Sequence, residues 1–235
     1  MPMIQHTMLA FDADLRELAA EIVEMGDRTE QQATNALDAL INKNVRLAQE
    51  VKSADGTIDE LQRSIETKAI ETIARRQPLA IDLREIVGAL RIATDLERIG
   101  DLASNIAKRA EQIGNKKFAN EISVQLRHMA QRVLEQLRSV LHSYHHRDTE
   151  EALKVWRSDE DIDGLHNSTF RQLLTYMMED PGNITLGMHL LFCAKNIERI
   201  GDHATNIAES VHFILQGGVI PGERPKLNVT NFPPH

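Results

Sequence analysis

The sequence predicts an all-α protein built from two tandem, similar three-helix bundles, and three observations carry that prediction. Aromatic residues make up only 4% of the 235, with 12 glycines and 7 prolines, a composition poor in the residues that turn-rich β architectures need. Apolar residues recur at alternating spacings of three and four, the period of a helix face, rather than in strict alternation. The chain also repeats itself. "ERIGDLASNIA" from Glu97 and "ERIGDHATNIA" from Glu198 match at nine of eleven positions, with an offset of 101. Upstream, "SADGTID" from Ser53 aligns with "RSDEDID" from Arg157, and Met25, Arg28 and Gln32 align with Met129, Arg132 and Gln136. A doubled unit of about one hundred residues follows.

The elements can be placed in order. In the first unit (residues 1–116) a long periodic segment runs from about Leu9 to Ala48. A second helix is expected from about Asp55 to Arg75, ending near Pro78 because proline disfavours helix in the residue before it. A third runs from about Leu83 to Ile113 and stops at "GNKK". In the second unit (117–217) the corresponding helices are expected at Ala119 to His145, Glu150 to Met178 and Thr185 to Leu215. There "EDPGN" supplies the break and "QGG" the stop. Residues 218–235, rich in proline and polar residues and without helical period, read as a mobile tail.

The third helices carry the clearest packing signal. Leu96, Ile99, Ala103, Ile106, Ala110 and Ile113 form an apolar seam, and Ile197, Ile200, Ala204, Ile207, Val211 and Ile214 repeat it. Such a seam belongs to a helix buried in a bundle.

Charge and composition narrow the functional classes. A formal net charge of −8 argues against a nucleic-acid partner, since phosphate backbones demand a basic face. It suits cations or basic patches on other proteins, and equally plain solubility. The start of the chain has neither a basic n-region nor a long apolar core, so no secretory leader is expected. No apolar run approaches the ~18 residues of a membrane span. One cysteine, Cys193 in "LLFCAKNI", permits no intrachain disulfide and reads as a buried thiol rather than a nucleophile. A cytoplasmic location is expected.

On each third helix a stripe lies nearly opposite the seam at about 100° per residue: Glu97, Asp101 and Asn105, and again Glu198, Asp202 and Asn206. Like charges at i,i+4 on a helix repel by roughly 0.2–0.5 kcal/mol, yet this chain places them twice. Gly100 and Gly201 lie between stripe and seam, and a mid-helix glycine costs about 1 kcal/mol against alanine, so each points to a close approach. Asp55 with Asp59, and Asp159 with Asp163, make further i,i+4 pairs at the starts of the second helices. Two readings stand. Outward acids are commonly just solvated, and acids at a helix start favour the macrodipole. Alternatively, the two pairs of each unit converge and hold a cation, since four carboxylates on one surface repel unless one sits among them. Oxygen donors without thiolates suit Mg²⁺, Ca²⁺, Mn²⁺ or iron, not structural zinc.

The two "ERIGD" motifs, "RRQP" from Arg75 and "TYMMEDP" from Thr175 resemble the PhoU family of phosphate-signalling regulators, over about Leu9 to Gly217. The resemblance implies two similar three-helix bundles, in agreement with the periodicity. It implies surface metal clusters on the acid-xxx-acid pairs. The metal ligands expected are Asp55, Asp59, Glu97 and Asp101 in one unit and Asp159, Asp163, Glu198 and Asp202 in the other, with Asn105 and Asn206 as weaker candidates. Iron, manganese or magnesium is the expected metal. The resemblance further implies a non-enzymatic regulator that acts with the phosphate-specific ABC transporter and the phosphate-sensing histidine kinase, damping uptake and silencing starvation genes when phosphate is plentiful. A homodimer is expected, with any membrane association made through partners. The tail beyond Gly218 lies outside the match.

Two rival readings remain at this point. A di-iron carboxylate enzyme needs an inward Glu-x-x-His on two helices. Asp163 with His166 has that spacing, but the residue equivalent to His166 is Gln62. A metal-free helical scaffold is the other. Hydrolase and transferase readings lack a Walker loop, a G-x-S-x-G elbow and an H-E-x-x-H pair.

Overall fold

The structure, a computed structural model, describes residues 2–54, 56–222 and 224, with side chains described from residue 11 onward. The described residues are helical and contain no strand. The first unit comprises α1 (Pro2–Asn42), α2 (Val45–Ser53), α3 (Gly56–Arg76) and α4 (Ala80–Ile113). The second comprises α5 (Asn120–His146), α6 (Thr149–Arg157), α7 (Asp159–Glu179) and α8 (Ile184–Gln216), with a single 3₁₀ turn, Pro181–Asn183, before α8. Each unit is a bundle of three long helices, with one short helix inserted after the first.

That short helix is where the structure departs from the periodicity. The segment from Leu9 to Ala48 is not continuous, because Lys43 adopts φ 56° and ends α1. Asn44 then caps α2, its side chain accepting from the Leu47 N–H. In the second unit Arg147 adopts the same φ of 56°, and Asp148 caps α6 by accepting from the Glu150 and Glu151 N–H groups. The expected helix from Glu150 to Met178 divides at Ser158 into α6 and α7. These breaks occur at equivalent positions in both units. An Asx cap satisfies amides that the following helix would otherwise leave unpaired, so the chain tolerates a left-handed non-glycine residue immediately before it.

Both predicted seams are buried, from Leu96 to Ile113 on α4 and from Ile197 to Ile214 on α8. α4 and α8 also pack against each other and join the units. Their contact is close. A Cβ added to Gly88 on α4 would lie 2.3 Å from Ile214 Cγ1 on α8. Asp95 on α4 receives the His203 Nδ1–H (2.8 Å) and the Asn206 Nδ2–H (3.2 Å) from α8. The two mid-helix glycines next to the acids also mark close approaches. A Cβ on Gly100 would meet Ile58 Cδ1 at 2.9 Å, and one on Gly201 would meet Gln136 Oε1 at 3.1 Å.

Gly88→Ala is expected to destabilise the protein by about 1–3 kcal/mol through overpacking, despite the ~1 kcal/mol that alanine gains in a helix. In a double-mutant cycle by denaturant unfolding, Ile214→Ala should absorb much of that cost. Additive penalties would show that the two residues do not meet.

Candidate functional site

In the first unit, α3 and α4 bring predicted acids together. Asp59 stands in the first turn of α3, facing Glu97 and Asp101 of α4. Glu97 is half-buried, and its carboxyl is held above its ordinary range, first by burial, then by the negative charge of Asp101 and, more weakly, of Asp59. Arg98 opposes these effects from a distance. Its guanidinium lies 3.5 Å from Glu97 Oε2 and 3.5 Å from Asp101 Oδ2, and it is largely exposed. Asp101 and Asn105 face solvent as the stripe predicts. Asp55, the fourth predicted acid of this unit, lies outside the described residues.

The second unit is built differently. Asp159, at the first position of α7, is only 3% exposed. Its Oδ1 accepts from the Thr205 hydroxyl of α8 (3.0 Å). Both of its oxygens then receive Arg224, from the segment beyond α8: Nε donates to Oδ2 at 2.7 Å and Nη2 to Oδ1 at 2.9 Å. The same Nη2 donates to Asp202 Oδ1 at 2.9 Å, and Nη1 donates to Asn206 Oδ1 at 3.0 Å. The guanidinium fork thus spans two carboxylates and an amide, a bidentate charge-assisted arrangement that a planar donor set makes well. Burial works to lower the pKa of Arg224, but the Asp159 hydrogen bonds and the charges of Asp159 and Asp202 prevail and raise it.

The other acids of this unit have separate surroundings. Glu198 is buried, contrary to the outward stripe expected from its helix phase. Its carboxylate is met by Lys195 Nζ, 2.7 Å from Oε1 and 2.6 Å from Oε2, the second contact being an ion pair without hydrogen-bond alignment. His166 of α7 lies near this pair. Its pKa is lowered because burial outweighs the opposing charge of Glu198. Asp163 is half-buried on α7.

The structure thus brings Asp59 and Asp101 to bear on Glu97 in the first unit and joins Asp159 to Asp202 through Arg224 in the second, with Glu198 paired apart. Among the described residues, no group of three or more His, Cys, Asp or Glu side chains is drawn closely enough to hold a metal ion. In the first unit the donor chemistry suits a hard cation: the charges of Asp101 and Asp59 add to burial in raising the proton affinity of Glu97, with one loosely placed arginine beside them. In the second unit Arg224 and Lys195 are already paired with Asp159, Asp202 and Glu198, and the residues as placed do not fit a metal. Sequence reasoning missed Arg224 and Asp95. Arg224 falls in a polar, proline-rich stretch with no period, and Asp95 is a single charge within an apolar pattern. Cys193 is fully buried, and burial pushes its thiol up to about 12, as the apolar context predicted.

Asp159→Ala is expected to cost about 2 kcal/mol or more, because hydrogen bonds to charged groups are worth about 1.5–3 kcal/mol each. Asp101→Asn, exposed and facing other acids, should change stability by no more than about 0.5 kcal/mol with chelator present. Urea unfolding of the two variants tests the contrast. A large loss in Asp101→Asn would place that acid in the fold rather than in a site.

Comparison with known proteins follows the same division into two units. The family model described as "PhoU domain" matches twice, over residues 22–110 and 126–211. A phosphate-specific transport system accessory protein PhoU homolog from Rhizobium meliloti is 50% identical, over 96% of this chain and 95% of its own length. Its Caulobacter vibrioides counterpart is 44% identical over 97% of this chain and 99% of its own length. Among solved structures, PhoU from Pseudomonas aeruginosa superposes with a TM-score of 0.86 at 36% identity, covering 88% of this chain and all (100%) of that one. The phosphate transport system regulatory protein PhoU from Streptococcus pneumoniae gives 0.82 at 28% identity, covering 89% of this chain and 99% of that one. The doubled helical bundle, the paired acids of each repeat and the full-length matches agree: the chain belongs to the PhoU family.

Proposed function

We propose that this protein is an accessory regulator of phosphate transport. It works by contact with the phosphate-specific ABC transporter and the phosphate-sensing histidine kinase, limiting uptake and silencing phosphate-starvation genes in phosphate-rich cells. The observation that carries this reading is the near-full-length identity with phosphate-specific transport system accessory proteins. The fold supports an output by binding rather than by turnover. Its cysteine is sealed in the core, and its acids are arranged among one another and with arginine and lysine rather than beside a nucleophile. No helix among the described residues is long and apolar enough to cross a membrane. In this reading the protein is a cytoplasmic homodimer that meets the transporter at the membrane surface.

The first acidic cluster is the metal site in this reading. Asp59, Glu97 and Asp101 would hold a hard ion such as Mg²⁺, Mn²⁺ or iron, which supplies positive charge where three carboxylates now repel. Asp55 and Asn105 complete the expected donor set.

Two measurements test the proposal. Deleting the gene should derepress phosphate-starvation genes in high phosphate, and the wild-type gene should restore repression. Normal repression in the deletion strain would overturn the regulatory reading. Glu97→Gln with Asp101→Asn should lower Mn²⁺ uptake in equilibrium dialysis by about tenfold or more in affinity while helicity stays at the wild-type level. Equal uptake would remove the metal from the first cluster.

A further inference from the structure

The second acidic cluster is filled by the chain itself. After Gly217, whose φ of 80° ends α8, the backbone turns back along that helix. His212 Nδ1–H donates to Gly218 O (3.1 Å) and holds the turn. The reach is well matched. Seven residues separate Gly217 from Arg224, which when extended span roughly 23–25 Å. The fifteen helical residues from Asp202 to Gly217 rise about 22 Å. The segment is therefore long enough for Arg224 to meet Asp202, the arginine side chain adding its own reach to that of the backbone.

We propose that Arg224 is the resident cation of the second cluster, a latch made by the chain's own segment beyond α8. In this arrangement Asp159, Asp202 and Asn206 form a guanidinium site that admits a divalent metal only when the strap releases. The two occupants exclude each other. Arg224 Nη2 lies 2.9 Å from both Asp159 Oδ1 and Asp202 Oδ1, in the position that an ion shared by the two carboxylates would take at roughly 2.0–2.6 Å. The remaining Asp159 oxygen is engaged by Nε at 2.7 Å. An ion can enter only by displacing the whole fork.

The strap also roofs a cavity of about 470 Å³, lined by Arg91, Asp95, Trp156, Phe213 and Ile220 together with Arg224. Trp156 is the sole tryptophan of the chain, and its Nε1–H donates to Glu209 Oε1 (3.0 Å). Release of the strap would uncover it, so Trp156 reports the latch without any metal.

The metal half of this inference rests on the proposed metal chemistry, and the test separates the two. The full-length protein, Arg224→Ala and Arg224→Lys are compared after chelator treatment. Acrylamide quenching of Trp156 should rise in Arg224→Ala, and less in Arg224→Lys, which keeps a charge but cannot span three acceptors. Unchanged quenching in both overturns the latch. Mn²⁺ alone is then titrated. Arg224→Ala should show additional uptake, about tenfold or more tighter than wild type at those sites, that Asp202→Asn abolishes and Asp101→Asn does not. If Asp101-dependent uptake is present but Arg224→Ala adds none, the competition is wrong and the first metal site stands. If the variant gains Asp202-dependent uptake while wild type binds no Mn²⁺, the latch stands and the first-cluster reading falls. Uptake by neither protein overturns the competition and the first-cluster metal site together, and the quenching alone then decides the latch. Wild-type helicity in circular dichroism for Arg224→Lys secures the comparison if Arg224→Ala is poorly folded.

Discussion

The packing of α4 against α8 is the constraint on which the rest of the structure depends. Each of these helices must face its own bundle along one seam and its twin along another, which leaves a single strip for polar groups. The closeness of the approach, with no room for a Cβ at Gly88 beside Ile214, fixes the rotation of both helices about their axes. Once that rotation is set, Glu97 and Asp101 face α3, and Glu198 and Asp202 lie beside α7. The acids are thus positioned by the apolar packing rather than by interactions among themselves, which are repulsive. Asp95 reinforces the same register from the polar side through His203 and Asn206.

Much of the fold was legible because a helix seam is written in local spacing. Leu96 to Ile113 and Ile197 to Ile214 announce their burial through intervals of three and four, and the repeat announces the doubling. The break at Arg147 was legible, falling between the helices expected to end at His145 and to begin at Glu150, whereas those at Lys43 and Ser158 were not, since the apolar pattern runs through them. The signal at Lys43 was chemical instead: Asn44, a cap-forming residue placed as Asp148 is in the second unit. The candidate site was half legible. Helix phase brought Glu97, Asp101, Asp202 and Asn206 to the polar strip. It could not tell that Glu198 is buried, because burial there depends on what packs over the strip.

Arg224 was illegible for a different reason. Its partners Asp159 and Asp202 are 65 and 22 residues away, and no periodic pattern connects an irregular segment to a helix face. The strap beyond α8 therefore read as mobile, whereas the described part of it is held by a hydrogen-bonded turn at one end and a guanidinium fork at the other. Residues 225–235 lie outside the described residues.

A duplicated chain invites the expectation of two equal sites, yet connectivity alone is enough to make them unequal. α4 ends at Gly114, and α5 begins at Asn120, so the few residues between them are committed to bridging the units. None can fold back some twenty ångströms along α4 to reach Asp59 and Asp101. Beyond α8, by contrast, the described chain doubles back on its own helix. The second cluster therefore acquires a cation from the polypeptide, whereas among the described residues the first has Arg98, 3.5 Å away and facing solvent. The burial of the two clusters follows this difference: a carboxylate such as Asp159 withstands near-complete desolvation because a paired, hydrogen-bonded guanidinium comes with it. Glu97, beside an exposed Arg98, is buried less completely, and its carboxyl is held above its ordinary range first by that burial.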